Sequence, residues 1–151
     1  MGGFIKTILI LSGISCFYFF TQPAVAKSQV LTDVKVIHAS TGTRYVDQGL
    51  KGIISELESV FKYTSYRLLK DQKLNLNFNQ KGRVNLPGER ALVVIPTDMQ
   101  GKRIRYQINI QKNNHSIFQT RVLLKNNSSI TIGGPQFKDG VLLLNISGSV
   151  Q

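Results

Sequence analysis

Cysteine is nearly absent from the sequence, since Cys16 is the only one in 151 residues. Cys16 falls within an N-terminal segment that we expect to be removed, so the processed chain would contain none. A chain without cysteine forms no disulfide and offers no thiolate as nucleophile or metal ligand. Its stability must then come from a hydrophobic core, and residues 27–151 are numerous enough to bury one.

Recognisable catalytic and metal-binding patterns are also missing. The two histidines, His38 and His115, have no carboxylate or second histidine at ligand spacing. The carboxylates are scattered, and no Gly-x-Ser-x-Gly elbow appears. Gly133-Gly134-Pro135 lacks the Gly-Lys-Ser/Thr that completes a phosphate loop. The sequence therefore predicts a protein that is not an enzyme and has no cofactor and no metal site.

Acidic side chains are few. The chain carries 19 Lys and Arg against 8 Asp and Glu, for a net charge of +11. Loss of Lys6 with the N-terminal segment would leave 18 basic and 8 acidic side chains, a net charge of +10. Such an excess favours an anionic partner: an acidic protein, an anionic polymer or lipid surface, or nucleic acid. Nucleic acid is the least favoured of these, because an exported protein meets it less often.

The N-terminal segment Met1–Ala26 has the pattern of a secretion signal. Lys6 supplies a positive start, and the apolar run 8–20 follows it. Ala24-Val25-Ala26 then gives the small-x-small pattern that a signal peptidase reads. We therefore expect export to the periplasm or an equivalent compartment, with cleavage after Ala26 and a processed chain that begins at Lys27.

Two other fates of this segment remain open. It could stay attached as a membrane anchor, but a spanning helix needs about 20 apolar residues. The run 8–20 is shorter, and a polar stretch containing Pro23 follows it. Lipidation at Cys16 is the other alternative, but Gly13 stands where a lipoprotein box has leucine. We expect neither, and we predict no transmembrane span in the processed chain.

One helix is predicted, over residues 46–62. Its apolar residues form a single stripe at the helical period. Gly49 and Gly52 weaken this helix by about 1 kcal/mol each relative to alanine, so burial of the stripe must offset their effect. The residues of the stripe are Val46, Leu50, Ile53, Ile54, Leu57, Val60 and Phe61.

The rest of the chain has period-two alternation or short apolar runs, bounded by turn residues, which are typical of β-strands. We predict an α+β, mostly β fold over a single domain, residues 27–151. Its architecture is an antiparallel β-sandwich or partly open barrel, with the helix of residues 46–62 after the first strand. The predicted strands lie at 34–40, 66–69, 74–80, 84–86, 91–96, 104–110, 118–124, 129–132 and 141–147.

The segment 103–125 predicts a hairpin with one apolar and one basic face. If Ile110 lies opposite Phe118, then Tyr106 lies opposite Val122 on the apolar face. On the other face, Arg103 then lies opposite Lys125, and Arg105 and Arg121 lie nearby. Like charges opposite each other in a sheet are unfavourable, so this face would gain from a bound anion.

The basic face has two interpretations. It can be a solvated surface that keeps the sheet soluble and monomeric, or it can be a binding site. The candidate binding residues are Arg103, Arg105, Arg121 and Lys125. Single-stranded nucleic acid is disfavoured as the ligand, because its binding surfaces interleave aromatic and cationic side chains. Here Tyr106 and Phe118 fall on the opposite face.

The segment 120–146, "TRVLLKNNSSITIGGPQFKDGVLLLNI", resembles the end of the core region in secretins, the outer-membrane channel subunits of bacterial secretion systems. The chain also resembles small exported bacterial proteins of unknown function that carry "YRLL", "LPG.R" and "GGP…GVL" in this order. These motifs stand at 66–69, 86–90 and 133–142. The resemblance implies a bacterial envelope and a sheet-rich module but not a channel, because secretin subunits are longer. It brings no functional residues with it.

These observations favour a non-catalytic exported protein that is an accessory or assembly subunit of a larger envelope or periplasmic complex. Strand 141–147 is expected at a sheet edge, where it could add to a partner's sheet. The alternative is a basic module that binds an anionic envelope polymer or lipid. A third hypothesis is a hydrolase whose site forms only in three dimensions, with His38 within hydrogen-bond reach of an acid in a cleft.

Overall fold

The structure, a computed structural model, describes residues 22–24 and 27–151. Residues 1–21 and 25–26 lie outside the described residues, and with them lie Cys16 and the predicted cleavage site after Ala26. The described chain forms strands β1 (Gln29–Ser40), β2 (Tyr45–Val46), β3 (Ser65–Asn77), β4 (Gly82–Leu86), β5 (Arg90–Gln100), β6 (Arg103–Lys112), β7 (His115–Lys125), β8 (Ser128–Phe137) and β9 (Gly140–Val150), a 3₁₀ turn (Gln48–Leu50) and helix α1 (Ile54–Val60).

Two sheets make up the fold. Sheet 1 has the strand order β2-β3-β1-β9-β8, and sheet 2 has the order β4-β5-β6-β7. Every pairing is antiparallel except that of β2 with β3. One sheet curls into a half-barrel. The predicted α+β, mostly β fold is confirmed, with its α-helix after the first strand.

The main core lies between the two sheets. It forms because apolar and polar residues alternate along the strands, so that the apolar side chains share the inner face. In β1, Val30, Val34 and Val36 are fully buried against sheet 2, whereas Asp33 and Lys35 face outward. Sheet 2 contributes the buried residues of β4, β5, β6 and β7. The buried residues of this core are Val30, Val34, Val36, Val84, Leu86, Leu92, Val94, Ile104, Tyr106, Ile108, Ile110, Leu124, Leu142, Leu144 and Ile146.

A buried hydrogen bond joins the two sheets. Thr32 Oγ1 and Tyr106 Oη lie 2.8 Å apart, and both residues are fully buried. Burial raises the pKa of the Tyr106 hydroxyl above its ordinary value, against the opposing effect of this hydrogen bond. Gly148 makes room for the pair, because a Cβ at that position would collide with the Tyr106 hydroxyl.

A second, smaller core lies on the opposite face of sheet 1, under the 3₁₀ turn and α1. A bulge in β3 turns side chains of that strand into this core. Val36 pairs with Lys70 but Ile37 pairs with Leu68, so Leu69 is the extra residue. Because a bulge reverses which side chains face each side, Leu68 and Tyr66 turn toward the helix. The buried residues of this core are Ile37, Ala39, Leu50, Leu57, Tyr66 and Leu143.

The helix is shorter than the predicted 46–62. Tyr45–Val46 instead pairs with β3, and α1 covers seven residues, Ile54–Val60. Gly49 lies against the side chain of Leu68, where an added Cβ would come within 2.7 Å of Leu68 Cδ2. Leu50 and Leu57 are fully buried as the stripe predicted, but Val60 is 65% exposed. The stripe thus identified the buried residues better than it identified the length of the helix.

The predicted register of the hairpin 103–125 is confirmed in full. Ile110 pairs with Phe118, Tyr106 with Val122, and Arg103 with Lys125. The expectation for strand 141–147 is wrong. This strand is part of β9, which lies between β1 and β8 and has no free edge. In the part of the chain that the structure describes, no helix is both long enough and apolar enough to span a membrane.

Candidate functional site

The four predicted binding residues lie together on the outer face of sheet 2. Arg103 and Lys125 are paired across β6 and β7, Arg105 lies opposite Leu123, and Arg121 lies opposite Gln107. Arg103, Arg121 and Lys125 are exposed, and Arg105 is half-buried. We call these four residues the basic face.

One member of the basic face has an acidic partner that the sequence did not indicate. Asp98 lies beyond the predicted strand 91–96, but β5 continues to Gln100. A bulge at Thr97 brings Asp98 opposite Arg105, and Arg105 Nε lies 3.4 Å from Asp98 Oδ1. Arg105 is therefore partly neutralised. Within residues 22–24 and 27–151, the other three cations have no carboxylate at ion-pair distance.

A shallow depression of about 300 Å³ lies beside this ion pair. All of its lining residues are polar or charged, and two of them are cations of the basic face. Such a depression can accept an oxygen-rich group but offers little apolar surface to a drug-like ligand. The lining residues are Asn79, Thr97, Asp98, Arg105, Gln107 and Arg121.

Strand β7, which carries Arg121 and Lys125 of the basic face, forms one edge of sheet 2. It is 11 residues long and pairs with β6 alone among the described strands. Three of its large apolar side chains are exposed: Ile117 by 51%, Phe118 by 42% and Leu123 by 43%. The hairpin 103–125 contains no Asp or Glu. A long unpaired edge with exposed apolar residues is a template for another strand, and here cations flank it.

A second site lies at one end of sheet 1, where a cleft of about 520 Å³ opens. Its walls come from the ends of β1 and β3 and from the turn between β8 and β9. Gly140, the first residue of β9, lies so close to β1 that an added Cβ would collide with the Ala39 carbonyl. This close approach keeps the turn beside β1. We call it the end cleft. It is lined by His38, Ser40, Thr41, Gly42, Thr43, Ser65, Arg67, Lys138 and Asp139.

His38 is the lining residue of the end cleft that has an acidic neighbour. It is 8% exposed, and its Nε2 lies 3.2 Å from Asp139 Oδ1. This is an ion-pair distance, but the two atoms are not aligned for a hydrogen bond, and Nε2 is buried without a hydrogen-bond partner in the described chain. The ring of Phe137 packs edge-on against the imidazole, with centroids 5.3 Å apart.

Two cations of the end cleft rest on aromatic rings. The Arg67 guanidinium carbon lies 4.3 Å from the centroid of Tyr45, and Lys138 Nζ lies 5.3 Å from that of Phe137. Such cation–π contacts hold a charge in place without neutralising it. Neither cation lies within ion-pair distance of a carboxylate in the described part of the chain.

The outer face of sheet 1 carries a third depression, of about 540 Å³, which contains Asp33 and Lys35. Lys35 Nζ lies 3.1 Å from Asp33 and 2.9 Å from Asp71. Burial raises the pKa of Asp33. Burial also acts to raise the pKa of Asp71, but the hydrogen bonds with Lys35 and Asp33 outweigh it and leave that pKa below its ordinary value. Both acids are thus occupied with Lys35.

The other sequence candidates have structural explanations. His115 is exposed, and its Nδ1 lies 3.0 Å from the carbonyl of Asn113. Across residues 22–24 and 27–151, no group of three or more His, Cys, Asp and Glu could hold a metal ion. The His38–Asp139 contact was missed because it depends on β9 lying beside β1, a pairing of residues about 100 positions apart that local sequence patterns do not encode.

Comparison of the chain with protein-family models, with curated protein sequences and with solved structures finds no match in any of the three.

Proposed function

We propose that the protein is an exported, non-catalytic accessory or assembly subunit that docks onto a larger protein complex of a bacterial cell envelope. The observation that carries this proposal is β7, a long edge strand with exposed apolar side chains beside a basic face. The secretion-signal pattern of Met1–Ala26 supports export. The resemblance of segment 120–146 to secretins supports the envelope setting.

Docking would occur by strand addition at β7. Backbone groups of the partner segment pair with the free edge, and its side chains alternate between the two faces. Residues on the outer side would be acidic, because Arg121 and Lys125 of β7 lie on that side, with Arg103 on the next strand. Residues on the inner side would be apolar and would cover Phe118. The partner is therefore a protein with an extended segment in which acidic and apolar residues alternate.

An anionic polymer or lipid surface is the competing ligand for the basic face. Such a ligand would bind through charge alone and would make no use of the free backbone groups of β7. It would also leave Ile117 and Phe118 exposed, although apolar side chains on an edge strand are a liability in a monomer. The exposed apolar residues therefore favour the protein partner.

The hydrolase hypothesis requires His38 to lie within hydrogen-bond reach of an acid in a cleft. His38 Nε2 lies 3.2 Å from Asp139 Oδ1 in the end cleft, but the two atoms are not aligned for a hydrogen bond. A serine hydrolase also needs a hydroxyl hydrogen-bonded to the imidazole. In the described chain, the Nε2 of His38 faces a carboxylate and has no hydrogen-bond partner. The arrangement therefore supports binding at this cleft better than acyl transfer.

The docking proposal is tested by photo-crosslinking from position 123. A photoreactive residue replaces Leu123 on β7 in one variant and Leu69 on β3 in the control, since these leucines are 43% and 42% exposed. Both variants are irradiated in native envelope extract at low and moderate salt. We expect one discrete protein adduct from position 123 and none from position 69. Equal labelling from both positions, or none from either, contradicts docking at β7.

Charge-reversal variants distinguish a protein partner from an anionic polymer as the ligand. Arg103→Glu with Arg121→Glu should abolish the adduct from position 123. Lys51→Glu with Lys62→Glu makes the same change in net charge at two exposed positions that flank α1 and should leave the adduct unchanged. If both pairs weaken retention on an anionic matrix equally and neither affects a protein adduct, the ligand is recognised by net charge and the proposal fails.

A further inference from the structure

We propose that the end cleft is a binding site for a small oxyanion, a carboxylate or phosphate group, which replaces the Asp139 carboxylate beside His38 Nε2. This site is on sheet 1 and is separate from the docking surface of β7.

The first observation is an unsatisfied buried nitrogen. Most buried polar atoms in folded proteins have a hydrogen-bond partner, and each exception calls for an explanation. His38 is 8% exposed, and its Nε2 has no aligned partner in the described chain. A ligand oxygen placed in line with this nitrogen would supply the missing hydrogen bond.

The second observation is the charge of the walls. Arg67 and Lys138 line the same cleft and have no carboxylate at ion-pair distance in the described chain. The rings of Tyr45 and Phe137 hold these two cations at the walls. Ser40 and Ser65, each 6% exposed, add two hydroxyls. Cations and hydroxyls around one cavity form a set of donors that suits an oxyanion.

The third observation is that the Asp139 carboxylate beside His38 Nε2 is weakly restrained. Asp139 has a side chain that is 69% exposed, and its contact with Nε2 is not aligned as a hydrogen bond. It lies in the turn after Lys138, whose φ is 50°. Rotation of this side chain into water costs little, because an exposed carboxylate is readily hydrated. Asp139 therefore occupies the anion position without closing it.

The test is a titration of the full folded chain, followed by two-dimensional NMR of the amide and imidazole resonances. Sodium phosphate and sodium acetate are separate titrants, at fixed pH and constant ionic strength, because salt screens exposed charges. We expect saturable shifts at His38, Arg67 and Asp139 with at least one titrant. The titrant that binds more tightly identifies the oxyanion as phosphate or carboxylate.

Three variants make the result specific. Asp139→Asn removes the competing carboxylate and should lower Kd by roughly two- to fivefold, as expected for one exposed charge pair. Arg67→Gln should raise Kd by about tenfold, as expected for loss of a charge-assisted hydrogen bond. Arg83→Gln, the same change at an exposed position of β4 in sheet 2, should leave Kd unchanged.

Absence of saturable shifts at His38 in both the native chain and Asp139→Asn overturns the proposal. An equal effect of Arg67→Gln and Arg83→Gln also overturns it, because binding would then depend on net charge alone. The amide spectrum of each variant confirms that it is folded. Failure of either kind leaves the docking of β7 untouched, since Leu123 and Arg121 lie on the other sheet.

Discussion

Single residues at the interface of the two sheets show how closely the layers approach. Thr32 and Tyr106 share a hydrogen bond across the core, and Gly148 faces the tyrosine hydroxyl with no side chain of its own. At the surface, two consecutive asparagines form the turn between β6 and β7. Asn113 and Asn114 have φ angles of 50° and 62°, which suit the two-residue turn of a twisted hairpin.

Gly148→Ala should destabilise the protein. The added Cβ would collide with the Tyr106 hydroxyl, and overpacking of this kind costs about 1–3 kcal/mol. Gly52→Ala is the matched control, because a Cβ at Gly52 meets nothing within 4 Å. Urea unfolding measures both. A free energy of unfolding that falls equally in the two variants would show that the close contact with Tyr106 is absent.

The two buried tyrosines predict a loss of stability at alkaline pH. Burial raises the pKa of Tyr66 and of Tyr106 above the ordinary value of 10.0. A raised pKa in the folded state means that the folded chain holds these protons more tightly than the unfolded chain does. The stabilisation is complete below about pH 10, the unfolded value, and it is lost as pH rises through the folded values.

Urea unfolding at a series of pH values tests this effect, with ultraviolet absorbance of tyrosinate as the second measurement. Tyr106→Phe removes one of the two groups and should flatten the alkaline fall in the free energy of unfolding. An unchanged alkaline fall in Tyr106→Phe would contradict a contribution from Tyr106.

At the scale of elements, the sequence predicted those features that depend on neighbours along the chain. The register of β6 and β7 was predictable, because both strands alternate cleanly and a short polar turn joins them. The bulges at Leu69 and Thr97 were not, because each depends on the partner strand. For this reason β3 was divided into two strands, and Asp98 was not seen to contact Arg105.

The length of α1 allows the burial that the helical stripe predicts to be compared with the burial in the structure. The stripe treats Leu57 and Val60 as equivalent, but Leu57 is fully buried and Val60 is 65% exposed. Leu57→Ala should therefore cost about 2–5 kcal/mol, whereas Val60→Ala should change stability by less than about 0.5 kcal/mol. Chemical denaturation of both variants checks this. Equal losses would support the longer helix over 46–62.

For the whole molecule, the order of strands decides which predicted features become sites. β9 lies inside sheet 1, so segment 141–147 has no free edge, whereas β7 ends sheet 2 beside three cations without acidic partners in the described chain. The same order places Asp139 beside His38. The composition indicated a basic binding protein, but only the pairing of distant strands shows where its cations and free edge meet.

The most direct test of the account is amide hydrogen exchange of the free protein and of its complex with the protein captured from position 123. Strand addition predicts new protection in β7, His115–Lys125, and none in β4, Gly82–Leu86, the opposite edge of the same sheet. Protection confined to β4, to α1 or to the strands of sheet 1, with β7 exchanging as fast as in the free protein, would contradict it.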